Sequence, residues 1–403
     1  MSARKKVVFF AEAVTLAHIA RPVMLANSLD PEKFDVTLAW QPRYQQLFPS
    51  LPISQRELFS IQPTDFLAAL AAGRPVYRLE TLDQYVANDL EILNELAPDL
   101  VIGDFRLSLS VSARLAKIPY INITNAYWSP YAKLRIPSPD VPPLRWLPNR
   151  VSQTLFNLVR PMAFAHHAEP MRQLHKRFGV PLPPRDVRAV YTFADYVAYA
   201  DMPELVPMSG LPSTHKFIGP ILWSPSGQHP PWWHEVSAIR GPKVYITLGS
   251  SGADTILPSV LNALSTLPIT CLVATAGRSH LKDVASNVFI ADYLSGEEAA
   301  AAADFVICNG GSPTAYQALS RGRPVLGICT NLDQQLNMTA VEAAGLGLSL
   351  LGSDANARSI HHLTKQLLDT PRFRKNALEV QQLLAGRPAA PRQFSDWLSS
   401  IQF

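Results

Sequence analysis

Short, wholly apolar runs alternate with longer amphipathic stretches along this chain, and the alternation starts twice. Runs such as Val7-Val8-Phe9-Phe10 and Phe305-Val306-Ile307-Cys308 are too short for core helices and too apolar for strands with one wet face. They read as strands buried on both faces, the pattern of parallel sheets covered by helices. The first series predicts strands at 5–10, 35–40, 99–103, 120–124 and 196–200, with a helix at 17–29. A stretch rich in Pro, Gly and Trp follows, and the series restarts. Strands are then expected at 244–248, 270–274, 288–290, 305–308 and 324–328, with helices near 256–267, 296–303, 313–321, 334–344 and 360–368. Two β/α halves of similar size joined by a Pro-rich hinge imply an α/β protein with two doubly wound domains facing a cleft. The boundaries read as 1–220, a linker at 221–241, a second domain at 242–385 and a tail at 386–403. Trp232-Trp233, near the hinge, is expected to pack between the domains.

Composition narrows the function classes. Hydrophobic residues at 47% against 17% charged permit a large core and exclude global disorder. Thirty-six Lys and Arg against 32 Asp and Glu leave only +4, too slight to imply a nucleic-acid partner. Cys271, Cys308 and Cys329 stand singly among apolar residues, so buried free thiols are expected rather than disulfides or a zinc site. Arg4-Lys5-Lys6 precede an apolar run that Glu12 ends after five residues, too short for a signal peptide. The uncharged stretch 255–277 is broken by Pro258 and Pro268. A cytoplasmic protein is expected. His166, His167 and His175 have no carboxylate to complete a metal set and read as surface or core histidines, so no metal is expected.

The chemistry is most legible at Asn309-Gly310-Gly311-Ser312-Pro313-Thr314. An apolar strand ends, two glycines turn the chain, and a helix starts with Ser312 as expected N-cap and Pro313 in the first turn. Free backbone N–H groups and the positive dipole end then point beyond the strand, where a diphosphate can sit. Downstream come Ala318-Leu319, Gly322-Arg323-Pro324 and Asn331-Leu332-Asp333-Gln334.

This run, 309–337, resembles the donor-binding signature of the family 1 (UGT-like) glycosyltransferases of the GT-B fold. The resemblance implies two Rossmann-like domains, with a C-terminal helix able to cross back to the first. It extends to Gly249-Ser250-Ser251 as the phosphate loop and to Tyr293-Leu294 at the nucleobase. Asp333 and Gln334 would meet hydroxyls of the donor sugar, and Asp333 also reads as a helix N-cap. Asn309 departs from the pattern, because the family usually has a histidine there; Arg278 could supply the missing positive charge. In the first half, Thr15-Leu16-Ala17-His18-Ile19-Ala20-Arg21-Pro22 is similar to the start of the family's first helix, where the histidine is the general base. Asp104, ending the later strand, would be its partner. Imidazole suits removal of a hydroxyl proton near neutral pH, and a buried carboxylate fixes its tautomer. Glu12, in the first loop, could be an alternative base or an acceptor contact, with Trp128 and Trp146 as further acceptor-side candidates.

The resemblance implies an inverting, metal-independent transferase with no cofactor beyond its substrate, a UDP- or dTDP-sugar. The acceptor would be a small-molecule or amphiphilic hydroxyl compound. A non-catalytic partner of another transferase and a sugar-nucleotide 2-epimerase are the alternatives. The epimerase would need several carboxylates and a basic set around the sugar, which do not stand out. Residues 131–190 carry ten Lys/Arg against three acids, with Trp, Leu and Phe interleaved. They are a candidate for peripheral contact at the inner membrane face, or for lining the cleft of a soluble acceptor.

Overall fold

Every ladder pairing in the two sheets is parallel. The structure, a computed structural model, describes residues 4–225, 229–249, 254–277 and 285–402. The chain divides into two units: Met1–Lys133 with Gln153–Ile221 and Ala389–Phe403, and Leu134–Ser152 with Leu222–Pro388.

The first unit holds β1 (Lys5–Ala11), β2 (Phe34–Trp40), β3 (Ser54–Glu57), β4 (Leu100–Asp104), β5 (Tyr120–Thr124), β6 (Tyr196–Tyr199) and β7 (His215–Phe217). Their order is β3-β2-β1-β4-β5-β6-β7. The second holds β8 (Lys243–Thr247), β9 (Thr270–Ala274), β10 (Val288–Ala291), β11 (Phe305–Cys308), β12 (Val325–Cys329) and β13 (Gly347–Leu351), ordered β10-β9-β8-β11-β12-β13. Both sheets reverse direction between their first and fourth strands, and ligands of such sheets bind beyond the carboxyl ends at that point. Register places Asp104 opposite Ala11 there in the first unit, and Cys308 opposite Thr247 in the second.

β4, β9, β11 and β12 are buried at every position, as their apolar runs require. Three strands lacked that pattern in the sequence. β3 reads Ser-Gln-Arg-Glu and is exposed at all four positions, an edge strand that shows no apolar face. β7 and β13 are likewise edges, with mixed burial. The long helix Asn149–Arg177 turns Phe156, Phe164, Ala168, Met171 and Leu174 inward. The chain's last helix, Ala390–Ser400, belongs to the first unit: Phe394 is fully buried 6.4 Å from the Phe9 ring, and Trp397 meets Tyr196.

Two readings change. Residues 134–152, expected with the first domain, cluster with the second unit, where the Ser353 N–H donates to Asp140. Trp232 packs inside the second unit, against Phe289, and its indole N–H donates to the Ile290 carbonyl. The three cysteines are buried free thiols, as expected.

Candidate active site

The helix Leu16–Ala26 begins just beyond β1 and carries His18 and Arg21 on its inward side. Asp104 ends β4, fully buried. His18 Nδ1 lies 2.7 Å from Asp104 Oδ1. With Nδ1–H donating to the carboxylate, the network assigns the lone pair to Nε2, the tautomer a general base needs. The imidazole keeps 18% exposure, so it is reachable from outside while its partner is not.

Arg21 was not singled out in the sequence, yet it is the nearest cation to this pair. Its Nε donates to Asp104 Oδ2 and its Nη2 to Oδ1, both at 2.7 Å, and its Nη1 donates to Asn125 Oδ1 at 2.8 Å. Nη2 also lies 3.0 Å from His18 Nδ1. Two donors cannot bond each other, so that approach reflects their sharing of Oδ1. Burial works against the Arg21 charge, but Asp104 outweighs it and the pKa is raised. Asn125 Nδ2 and the Ala126 N–H in turn donate to Asp201 Oδ2.

Phe105, directly after Asp104, has φ +58°, a left-handed conformation unusual for an aromatic residue. Its ring stacks on the imidazole at 4.7 Å. The next residue, Arg106, runs into a fully buried polar cluster. Its Nη1 donates to Glu12 Oε2 at 2.9 Å and to the Phe59 carbonyl, and its Nε donates to Asp89 Oδ1 at 2.9 Å. Tyr85 donates its hydroxyl to Glu12 Oε1 at 2.7 Å and lies under the guanidinium. Ser108 and Ser112 donate to Asp89 Oδ2. Burial disfavours the Arg106 cation, yet Asp89 and Glu12 raise its pKa. Glu12 is therefore committed inside the fold, and the expectation of an alternative base or acceptor contact gives way to a structural role. Trp128 is half-buried, edge-on to Tyr191. Trp146 is 74% exposed and lies in the segment that clusters with the second unit.

In the second unit the Gly310–Gly311 turn sits at the β8/β11 switch point. Gly310 has φ +79°, and a Cβ there would lie 2.8 Å from Cys329 Sγ and Met338 Cγ; only glycine fits. Asn337 Nδ2 donates to its carbonyl at 2.8 Å, and the Gly311 N–H donates to Asn309 Oδ1 at 3.0 Å. Asn309 also lies against Gly249, whose φ is +64° and whose Cβ would come within 3.2 Å of Nδ2. The helix Ser312–Ser320 is capped by Gly311, one residue earlier than expected, with no side-chain cap bond. The first turn, through Thr314, thus has no side-chain acceptor at its cap. Burial pushes the Cys308 thiol up to about 12, so it is inert near pH 7.

The cap of the helix Leu332–Ala343 is also earlier than expected. Asn331, not Asp333, accepts the Gln334 N–H. Asp333 occupies the first turn. Gln334 Oε1 accepts from the Thr330 N–H and hydroxyl, while its Nε2 is buried with no hydrogen-bond partner among the described residues. Tyr293 is 43% exposed and donates its hydroxyl to the Ala276 carbonyl, whereas Leu294 is buried. Ser250, Ser251 and Arg278 lie outside the described residues.

Two sheets of one strand order, each with polar residues gathered at its switch point, define a two-domain nucleotide-sugar fold of the GT-B type. Comparison with known proteins agrees. Residues 259–398 match the family model "Erythromycin biosynthesis protein CIII-like, C-terminal domain". The chain is 48% identical over 379 residues to a PGL/p-HBAD biosynthesis glycosyltransferase of Mycobacterium tuberculosis, covering 94% of this chain and 88% of that one. It is 48% identical over 377 residues to a PGL/p-HBAD biosynthesis rhamnosyltransferase of Mycobacterium bovis, covering 94% and 84%. Among solved structures, spinosyn rhamnosyltransferase SpnG complexed with thymidine diphosphate superposes with a TM-score of 0.69 at 18% identity, covering 98% and 99%. SpnG complexed with spinosyn aglycone gives 0.69 at 17%, covering 97% and 99%. The chain belongs to the family 1 (UGT-like) glycosyltransferases of the GT-B fold, and it is a glycosyltransferase.

Proposed function

We propose that the protein transfers a deoxyhexose, of the rhamnose type, from a thymidine-diphosphate carrier to a hydroxyl of a small or amphiphilic natural product, with inversion and without a metal ion. The observation that carries this reading is the His18–Asp104 pair, 2.7 Å apart at the first unit's switch point. His18 Nε2 takes the acceptor proton as the oxygen attacks the anomeric carbon; Asp104 steadies the imidazolium that forms. The bond to the diphosphate breaks on the opposite face, which inverts the anomeric centre. The first turn of the helix Ser312–Ser320, with its Thr314 N–H and its dipole, stabilises the leaving diphosphate, a role that elsewhere falls to a cation. Asp333 and the Nε2 of Gln334, which has no hydrogen-bond partner among the described residues, suit sugar hydroxyls. The sugar and the carrier are taken from the rhamnosyltransferase relative and from SpnG with thymidine diphosphate; a UDP-sugar is the alternative donor.

The test is donor turnover by the purified protein with dTDP-rhamnose and UDP-glucose, with and without EDTA, followed by NMR of the anomeric product. Inverted product from the dTDP-sugar, unaffected by EDTA, supports the reading. Retention of configuration, or dependence on a divalent ion, overturns it. Nucleotide binding with no hydrolysis or transfer would favour a non-catalytic partner instead.

A further inference from the structure

The helix Asn149–Arg177 buries one side and leaves the other bare over its first half. Val151, Leu155, Leu158, Val159 and Met162 recur at spacings of four, three, one and three, so they share one face. Leu158 is 72% and Met162 74% exposed, and the other three also stand out in solvent. The face runs for about 16 Å at the rise of an α-helix. A run of large apolar side chains this exposed is more than the scatter expected of a water-facing surface.

We propose that this face docks on an anionic lipid surface, with the helix lying in the plane of the headgroups. The charge around it selects that occupant. From Val141 to Ala168 the sequence has three arginines, Arg145, Arg150 and Arg160, and no Asp or Glu. Arg145 is held by Asp140, while among the described residues Arg160 Nη1 reaches only the Asn157 side-chain oxygen, at 3.4 Å. An acid-free stretch meets anionic headgroups without repulsion, whereas a second copy laid on the same face would set arginine against arginine. The apolar groups stand on one side only, and no helix among the described residues is long and apolar enough to cross a membrane. The geometry is that of an interfacial helix. It is independent of the reaction, since docking is read without any substrate.

Co-sedimentation of the full chain with vesicles tests it. The protein should pellet with vesicles containing phosphatidylglycerol, not with pure phosphatidylcholine, and should be released as salt shortens the screening length below about 8 Å. Leu158→Asp with Met162→Asp should lower partitioning at least about tenfold, and Arg150→Glu with Arg160→Glu should do the same. Arg150, Leu158 and Met162 are exposed and Arg160 is half-buried, so an unchanged thermal unfolding midpoint confirms the fold. Failure to bind anionic vesicles overturns the proposal, as does equal binding to neutral ones. So does a concentration-dependent dimer that the same substitutions dissolve, since the face would then belong to a second copy.

Discussion

Arg21 sets its guanidinium 2.7 Å from both oxygens of Asp104, the same carboxylate that receives the Nδ1–H of His18 three residues earlier. Asp104 is thus fixed in place and largely neutralised before the imidazole makes any demand on it. A histidine–aspartate pair with an arginine as third member is a site whose charge balance differs from that of an isolated pair.

Arg21→Gln keeps a hydrogen-bond donor and removes the cation. The imidazole then faces an uncompensated carboxylate, which favours its protonated form, so the free base is reached only at higher pH. The charged and titratable groups around Arg21 are His18, Asp104, Tyr127 and Asp201, and none of these replaces the lost cation. The acid limb of kcat/KM should move to higher pH. Breaking the buried pair should also destabilise the fold by about 3 kcal/mol. Reduced activity with an unmoved acid limb would leave Arg21 a merely structural role.

His18→Ala should lower kcat by roughly 10²–10⁴-fold and leave nucleotide affinity nearly unchanged, because the lost group acts on the acceptor proton alone. Asp104→Asn should do smaller damage of the same kind. Single-turnover kinetics beside calorimetric nucleotide titration separates the two effects. Full activity in His18→Ala would remove the base assignment.

The Gly310–Gly311 turn was legible because it rests on local chemistry, two glycines before a proline at the end of an apolar strand, whereas His18 and Asp104 were reached through the family resemblance. Arg21 was not. Nothing in the pattern around it announces that its side chain will reach a carboxylate 83 residues away. The Glu12–Arg106–Asp89 cluster was hidden for the same reason, and Glu12 was misread because a charge near a loop looks accessible in a sequence. Caps were placed late at two helices, Ser312 for Gly311 and Asp333 for Asn331, since a cap is defined by backbone angles that neighbouring Ser, Asp and Asn residues all tolerate. Residues 134–152 could not be assigned from local pattern, because their Asp140 is held by Ser353, far along the chain.

Asn309 holds the turn through Oδ1, which leaves its amide as the donor side. Asn309→Asp keeps the acceptor for the Gly311 N–H but replaces the donor with a negative charge. Thymidine diphosphate should bind more weakly by about 1–2 kcal/mol, while thymidine itself is little affected. Asn309→Ala should lose a comparable amount through the loosened turn. Calorimetric dissociation constants that do not change in either variant would show that Asn309 does not face the diphosphate.

Gly310→Ala combines a left-handed backbone with a Cβ placed 2.8 Å from Cys329 Sγ and Met338 Cγ. Either strain or a shift of the turn follows, at a cost of about 2–4 kcal/mol. Chemical denaturation should show it directly. A second substitution, Met338→Ala in the Gly310→Ala background, relieves the Met338 contact but leaves the Cys329 contact and the backbone angle, so at most partial recovery is expected and full recovery would mean that both of these cost little.

His175 supplies a pH dependence of stability away from the active site. It is fully buried, with Nδ1–H donating to the Pro181 carbonyl and Nε2 2.9 Å from the Ser110 hydroxyl. Burial lowers its pKa from the ordinary 6.5 to about 4; the Pro181 bond opposes this, while Arg114 and Arg172 reinforce it. Burial also lowers His215, again to about 4. A group depressed in the folded state is protonated first in the unfolded chain. Stability is therefore complete above about pH 6.5 and falls as the pH drops toward 4. His175 alone should cost about 2 kcal/mol between pH 7 and pH 5. Urea unfolding at those two values should show the loss, and His175→Gln, less stable at pH 7, should show a smaller one. An equal loss in variant and wild type would assign the acid sensitivity to other groups.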